Sequence, residues 1–569
     1  MTEALLVLAL AVGLGWPLGQ YLAAIMRGGP MRIDPLFAWI EKPVYRVLGV
    51  DPSRGMSWRG YAKAFVFGNL VVGLPVWVLF MTQAWLPFNP DAIPNMRWDT
   101  ALHTMVSFLT NTNQQHYSGQ AQLSYLSQMV GIVGLQVVTP MMGLALVVAT
   151  LRALMGGRQA MQPDSDPART AGTEADVGNY WADVVRSTMR FMLPLCLLWS
   201  TALAWQGVPS TLQAGPVATP IDASAGMAQQ KIPLGPVAPM VAAKQLGSNG
   251  GGWYGPNSAM PLENPTPLSN FIELLGILLI PLSVVFMVAP FTRRRRLTAL
   301  VFGSMLLMSA LSTGAALFLE HHGPVATALM EGKEVRIGAD GSALWAAITT
   351  QVNNGSVDAM HDSLAPLTGL VALGNMLVNA IWGGVGCGLQ QFIVYLLLAV
   401  FLAGLMTGRT PELFGRKIEA REVRLLSLLI LLQPIVVLGF TALALWLPQF
   451  TGNSNPGFHG ISQVFYEYTS AFANNGSGFE GLGDATYWWN LTCVAVLVLG
   501  RYPALVIPLA VAAGLARKRH APEGPGSLRI ETPTFALTTV AVIVILTLLQ
   551  FMPALVLGPV AEHLSLAAH

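Results

Sequence analysis

The sequence predicts an all-α polytopic membrane protein of about ten transmembrane helices, containing four helix–pore-loop–helix repeats around a pseudo-four-fold axis. Three observations predict it. The 569 residues are 53% hydrophobic and only 11% charged, with a mean hydropathy of +0.53, which is not a soluble globular composition. Apolar runs of about 20 residues, the length that crosses a bilayer, recur along the chain. A short polar Asn/Gly stretch recurs four times, each copy lying between two such runs.

The predicted crossings lie near 4–26, 63–86, 125–151, 189–208, 269–291, 297–318, 367–407, 425–447, 488–514 and 533–556. The first is not read as a signal peptide, because its positive charges follow the apolar run instead of preceding it. It is a retained helix with its N-terminus outside. The loops then alternate in Lys/Arg content. Twenty-five of the 31 cationic residues fall on inside loops, among them Arg152, Arg158, Arg169, Arg186, Arg190 and the run Arg293–Arg296. Arg97, Lys231, Lys244, Lys333 and Arg336 fall outside, and Arg501 lies within a helix. This positive-inside bias puts both termini outside. Net charge is only +2, which implies no strongly acidic partner and no nucleic acid; lipid is the surrounding medium. Cys196, Cys387 and Cys493 sit in apolar runs, are read as core packing, and suggest neither a disulfide framework nor a transition-metal site.

The seventh run, 367–407, is about 60 Å long as one helix, twice the hydrocarbon thickness. Two crossings would invert every later loop, so charge favours one crossing, broken at Gly383-Gly384-Val385-Gly386-Cys387-Gly388. Irregular backbone at membrane depth is tolerated where protein shields it or where it lines a cavity. The glycines either flank an ion path or form a small-residue helix-packing patch.

The four polar stretches are Thr110-Asn111-Thr112-Asn113, Ser248-Asn249-Gly250, Asn353-Asn354-Gly355-Ser356 and Asn474-Asn475-Gly476-Ser477. Each follows about ten residues able to form a half-length helix of roughly 15 Å. Asp99, Pro236, Ser342 and Ser462 are the expected starts. Each half-helix would point its negative C-terminal dipole at a bound cation, and backbone carbonyls in a ring replace the hydration shell of a small cation. One such stretch would be an ordinary turn; four in register with the helix count form a ring from a single chain. The stretches hold no carboxylate, which favours a monovalent cation over calcium. The domain plan is a first helix and inside loop (1–60), repeats at 61–155, 183–293, 297–408 and 424–516, and a last helix (530–569).

No phosphate-binding Gly-x-x-x-x-Gly-Lys-Ser/Thr loop and no Asp-Lys-Thr-Gly string is present, so the chain is not expected to bind nucleotide or to be an enzyme by itself. His321, His322, His361 and His459 read as solvated loop residues. Arg501, in the middle of the ninth helix, is costly at that depth; it is either a fixed positive charge below the ring or a donor to backbone carbonyls.

The four pore-loop units, the Gly383–Gly388 break, and the strings Met360-His361-Asp362-Ser363, Glu263-Asn264-Pro265-Thr266 and Gly408-Arg409-Thr410-Pro411-Glu412 together resemble the potassium-binding subunit of the bacterial Kdp potassium-transporting ATPase, over essentially the whole chain. The resemblance implies a selectivity filter for K+ at Asn111 to Asn113, Ser248 to Gly250, Asn354 to Gly355 and Asn474 to Gly476. It implies a gate at Gly383, Gly384, Gly386 and Gly388 with Arg501 as the buried arginine. It further implies sideways transfer of the ion to a P-type ATPase subunit, Kdp B, with Kdp C and a small Kdp F completing the complex in the bacterial inner membrane. Where the family pattern usually carries an acidic residue before the break, this chain has Asn379, which puts an Arg501–carboxylate latch in doubt. The competing readings are a stand-alone potassium channel or symporter of the same superfamily and, from another class, a polytopic membrane enzyme. The latter would need clustered acid, base or metal residues, and the sequence displays none.

Overall fold

The computed structural model describes residues 2–158, 174–222, 224, 226–324, 329–521 and 528–568; Arg169, one of the inside-loop cations, lies outside them. Among the described residues, ten helices are long and apolar enough to cross a membrane: Thr2–Arg27, Trp58–Trp85, Ser127–Leu154, Tyr180–Trp205, Pro267–Thr292, Arg295–His321, Cys387–Met406, Ala420–Trp446, Tyr487–Ala516 and Pro533–Ala567. The chain's chemistry starts several of them. Ser57, Thr266, Thr486 and Thr532 each accept the N–H three residues on, and Pro267 and Pro533 occupy the first helical position. The only strands among the described residues are two short hairpins, Val217–Ala218 with Gln230–Lys231 and Glu412–Leu413 with Arg416–Lys417.

The seventh crossing is broken where the glycines lie. An apolar helix Pro366–Val378 stops at Asn379, in the left-handed region at φ 50°, and a second helix restarts at Cys387. Helix one packs against Pro267–Thr292 through Gly15 and Gly19. A Cβ on Gly19 would lie 2.7 Å from the Ser283 carbonyl oxygen, so the Gly-x-x-x-Gly spacing brings the two backbones together.

The fourth crossing begins at Tyr180, earlier than predicted, so Arg186 and Arg190 are helical and not in a loop. Arg152 ends the third crossing and is buried, paired in two bonds of 2.5 and 2.9 Å with Asp183, which also accepts from Tyr61 at 2.8 Å. Arg190 is likewise buried against Glu41 of an amphipathic helix, Asp34–Leu48, within what reads in the sequence as the first inside loop. Buried charge is tolerated here because each guanidinium is met by a carboxylate in bidentate geometry.

Candidate functional site

Four half-helices converge on one ring: Trp98–Leu109, Val237–Leu246, Gly338–Val352 and Gly457–Ala473. Their expected starts need correction. Asp99 is the second helical residue, tied to Arg97, and does not cap. Pro236 immediately precedes its helix instead of entering the first turn. Ser342 and Ser462 lie inside longer half-helices, donating to the carbonyls of Gly338 and Phe458 four residues back.

Each half-helix ends in three residues of the same backbone pattern. Position one is left-handed: Asn111 (φ 62°), Ser248 (53°), Asn353 (55°) and Asn474 (56°). Position two is Thr112, Asn249, Asn354 or Asn475, and its N–H returns to the carbonyl five residues back at 2.9–3.1 Å. Position three is left-handed again: Asn113 (58°), Gly250 (75°), Gly355 (88°) and Gly476 (107°). Thr110 closes the first half-helix and holds the Thr112 hydroxyl at 2.9 Å.

The glycines show how the ring closes. A Cβ on Gly250 would collide with the carbonyl oxygen of Asn354, one on Gly355 with that of Asn475, and one on Gly476 with that of Thr112. Each position-three glycine therefore rests on the position-two carbonyl of the next repeat. The first copy has Asn113 instead, and the second repeat makes room for it: a Cβ on Gly251 would lie 2.9 Å from the Asn113 Cβ. The third and fourth repeats carry Ser356 and Ser477 where the second carries Gly251. The missing glycine of one copy is thus balanced by an extra glycine in its neighbour.

Side-chain amides bind the repeats together. Asn249 Nδ2 donates to Asn111 Oδ1 at 2.7 Å, Asn354 Nδ2 to the Lys244 carbonyl at 3.0 Å, Asn475 Nδ2 to the Thr349 carbonyl at 3.3 Å, and Asn474 Nδ2 to Thr112 Oγ1 at 3.0 Å. In contrast, the carbonyl oxygens of Thr112, Asn354 and Asn475 accept no hydrogen bond from any described residue, although all three residues are fully buried. Buried carbonyls are almost always paired, yet these three stand bare at equivalent places around one axis.

The second segment departs from the pattern, for a reason that the sequence does not show on its face. Lys244 is not in an outside loop; it is fully buried in the second half-helix, five residues before Asn249. Its ammonium donates to Asn257 Oδ1 (2.7 Å), Ser258 Oγ (2.6 Å) and Glu263, and Asn257 Nδ2 in turn holds the Gly250 carbonyl at 2.7 Å. The corresponding residues in the other copies are Ser107, Thr349 and Ser470. That register, counted back from each Asn/Gly stretch, is the signal that would have found Lys244.

Past position three, a cavity of about 760 Å³ is lined by residues that succeed all four segments, including His116, Pro256, Val357, Glu480 and Asp484. Burial pushes Glu480 up to about 8 and Asp484 up to about 6. At the position-one end lies the broken crossing. Trp382 and Gly383 donate to the Gln351 carbonyl at 3.1 and 2.9 Å. A Cβ on Gly384 would meet the Val352 carbonyl at 3.2 Å and the Ser248 Cβ at 3.7 Å, and one on Gly386 would meet Leu144 and the Gly143 carbonyl at 3.1 and 3.2 Å. Cys387 Sγ accepts from Arg501 Nη1 at 2.8 Å. One short loop therefore touches all four repeats. Gly383, Gly384 and Gly386 have φ of 58°, 77° and 87°, and a Cβ on Gly388 would strike the Trp382 carbonyl.

Arg501 is buried; among the described residues it donates to the Cys387 thiol and meets no carboxylate. Cys387 is therefore more than packing. Asn379 faces elsewhere: its Oδ1 accepts from Asn353 Nδ2 at 2.6 Å and its Nδ2 donates to the Ala473 carbonyl at 3.4 Å. The amide at 379 joins the third Asn/Gly segment to the fourth half-helix. His361 is buried and bonded to Tyr466 at 2.9 Å, and His459 bridges Asp362 and Glu562, so neither is a solvated loop residue.

Fold and ring define a polytopic membrane protein of the four-repeat, pore-loop kind. The chain belongs to the family described as potassium-transporting ATPase A subunit, whose family model matches residues 5–564. Among curated relatives, potassium-transporting ATPase potassium-binding subunits from Gloeobacter violaceus, Pseudomonas putida and Bacteroides thetaiotaomicron are 44%, 43% and 40% identical, covering 96%, 96% and 98% of this chain and 95%, 96% and 98% of their own. A solved structure of the potassium transporter TrkH from Vibrio parahaemolyticus is similar at a TM-score of 0.49 and 14% identity, over 87% of this chain and 97% of that one.

Proposed function

We propose that this chain is the potassium-binding and translocating subunit of an ATP-driven uptake complex in the bacterial inner membrane, with both termini external. The observation that carries the reading is the set of buried, unbonded position-two carbonyls of Thr112, Asn354 and Asn475, set around one axis at the negative ends of half-helices. Such oxygens compensate a dehydrated monovalent cation without adding net charge. The filter comprises Thr110 to Asn113, Ser248 to Gly250, Asn353 to Gly355 and Asn474 to Gly476. The loop Gly383–Gly388, pinned by Arg501 through Cys387, closes the straight route inward, and the fixed charge of Arg501 repels an ion that reaches it. The ion is handed to a P-type ATPase partner, Kdp B, which supplies the hydrolysis this chain lacks; Kdp C and Kdp F complete the assembly.

The test is potassium uptake at micromolar external concentration in a strain lacking its other potassium transporters, with this chain expressed alone and with its ATPase partners. Uptake only with the partners is expected. Uptake by the chain alone would replace this reading with a channel or symporter.

A further inference from the structure

His116, Glu467 and Cys493 come from three separate parts of the chain: the loop after the first filter segment, the fourth half-helix and the ninth crossing. All three are buried, and one ligand atom from each lies within 4.8 Å of the other two. His116 Nε2 is 3.2 Å from Glu467 Oε1. Two ligands at about 2.0–2.1 Å on a tetrahedral zinc ion stand about 3.3 Å apart, so this pair already has the required bite.

The hydrogen bonds around the trio fix which atoms face inward. Asn490 Nδ2 donates to Asp99 Oδ2 at 2.8 Å and to Thr100 Oγ1 at 3.2 Å. That leaves Asn490 Oδ1 as the acceptor facing His116 Nδ1 at 2.8 Å, so Nδ1 carries a proton. In the neutral ring, Nε2 then presents a lone pair to Glu467 Oε1, which is itself already an acceptor from Gln114 Nε2. Two acceptors face each other with a thiol beside them, and only a proton or a cation placed between them relieves the opposition. A histidine oriented through its other nitrogen, a carboxylate held by a second amide, and a thiol are the donor set and outer support of a zinc-class ion. Of the three, His116 also lines the 760 Å³ cavity, which places the trio at its wall. His103 stacks on His116 at 3.6 Å and holds the ring in plane.

We infer that His116, Glu467 and Cys493 form a binding site for one zinc-class divalent cation, reached from the cavity that leads to the filter. The ion displaces the Cys493 thiol proton as it binds. It joins the loop after the first filter segment to the fourth half-helix, at the closure between the first and last repeats.

The probe is Cd2+ added to the full chain in its purified complex. One equivalent is expected to bind, with a thiolate-to-metal charge-transfer band in the ultraviolet, and Zn2+ is expected to displace it. Cys493→Ser should abolish the band, and His116→Gln should weaken binding by more than the roughly 10–100-fold that loss of an outer-shell partner costs, whereas Cys196→Ser and Cys387→Ser should leave the band unchanged. Retained K+ binding in the variants shows that they are folded. No band in the wild type, or a band that survives Cys493→Ser, would overturn the site and would leave a shared proton as what joins His116 to Glu467.

Discussion

The third and fourth filter segments are the same four residues, Asn-Asn-Gly-Ser, and they fold almost identically. Their position-one φ angles are 55° and 56°. Their position-two N–H groups both reach the carbonyl five residues back at 2.9 Å. Their glycine N–H groups both reach a hydroxyl six residues back, Thr349 or Ser470, at 3.0 Å. Beyond the two segments the chain takes quite different forms. The third repeat continues into a crossing broken at Asn379–Gly386, and the fourth into an unbroken helix, Tyr487–Ala516, that carries Arg501. Equal strings therefore set closely similar backbone geometry, and these two repeats part company on the position-one side, where the glycine loop of one meets the arginine of the other.

The largest effect should come from the equivalence itself. Gly355→Ala and Gly476→Ala each force a side chain into a left-handed residue, costing about 1–2 kcal/mol, and drive a Cβ into the next repeat's carbonyl. Each should lower K+ affinity about a hundredfold or more, since the combined cost exceeds roughly 2.7 kcal/mol. Binding isotherms that differ more than tenfold between the two variants would break the comparison. Next comes Arg501→Gln, which removes the fixed charge but touches no filter residue. It should leave K+ affinity within a few-fold while raising passive leak on the order of tenfold, as loss of roughly 1–2 kcal/mol of repulsion predicts. A flux assay in vesicles without ATP reads this, and unchanged leak would remove Arg501 from the gate.

Asn379→Asp is a smaller change. It keeps the acceptor for Asn353 and loses the long donation to Ala473, while adding a negative charge beside the third segment. Affinity for K+ should rise a few-fold, on the scale of about 1 kcal/mol; a fall would mean that the amide's bond to the fourth half-helix matters more than charge. The smallest effect is expected at the rim. Burial pulls His459 down, but its hydrogen bonds to Asp362 and Glu562 outweigh this and lift it to about 10. Its folded value stands above its unfolded one, so its stabilisation is complete below about pH 6.5 and is lost as pH rises through 10. His459→Gln should cost about 1 kcal/mol near neutrality and flatten the melting temperature of the complex between pH 7 and 10.

Much of this is legible in the sequence, for definable reasons. Helix count, the break in the seventh crossing and the four filter strings are local signals, carried by apolar run length and by residues that tolerate positive φ. The half-helix starts are not, because Ser342 and Ser462 satisfy their hydroxyls by bonding back along the helix, a choice composition does not reveal. Lys244 is hidden because a cation between two apolar runs looks like a loop residue; its burial depends on Glu263, Asn257 and Ser258, which close around it only in three dimensions. The compensation of Asn113 by Gly251 and the approach of His116 to Glu467 and Cys493 join parts of the chain more than a hundred residues apart, and no window of sequence contains either.

The seat of each glycine on the next repeat's carbonyl has a consequence for how the molecule is made. Asn474 reaches Thr112 across 362 residues, so the first filter segment meets its last partner only when most of the chain has been synthesised. Insertion of the crossings can proceed one by one from the N-terminus, but the ring closes only once the fourth segment has been made, and a chain that stops before the fourth repeat leaves Thr112 without the glycine that seats on its carbonyl.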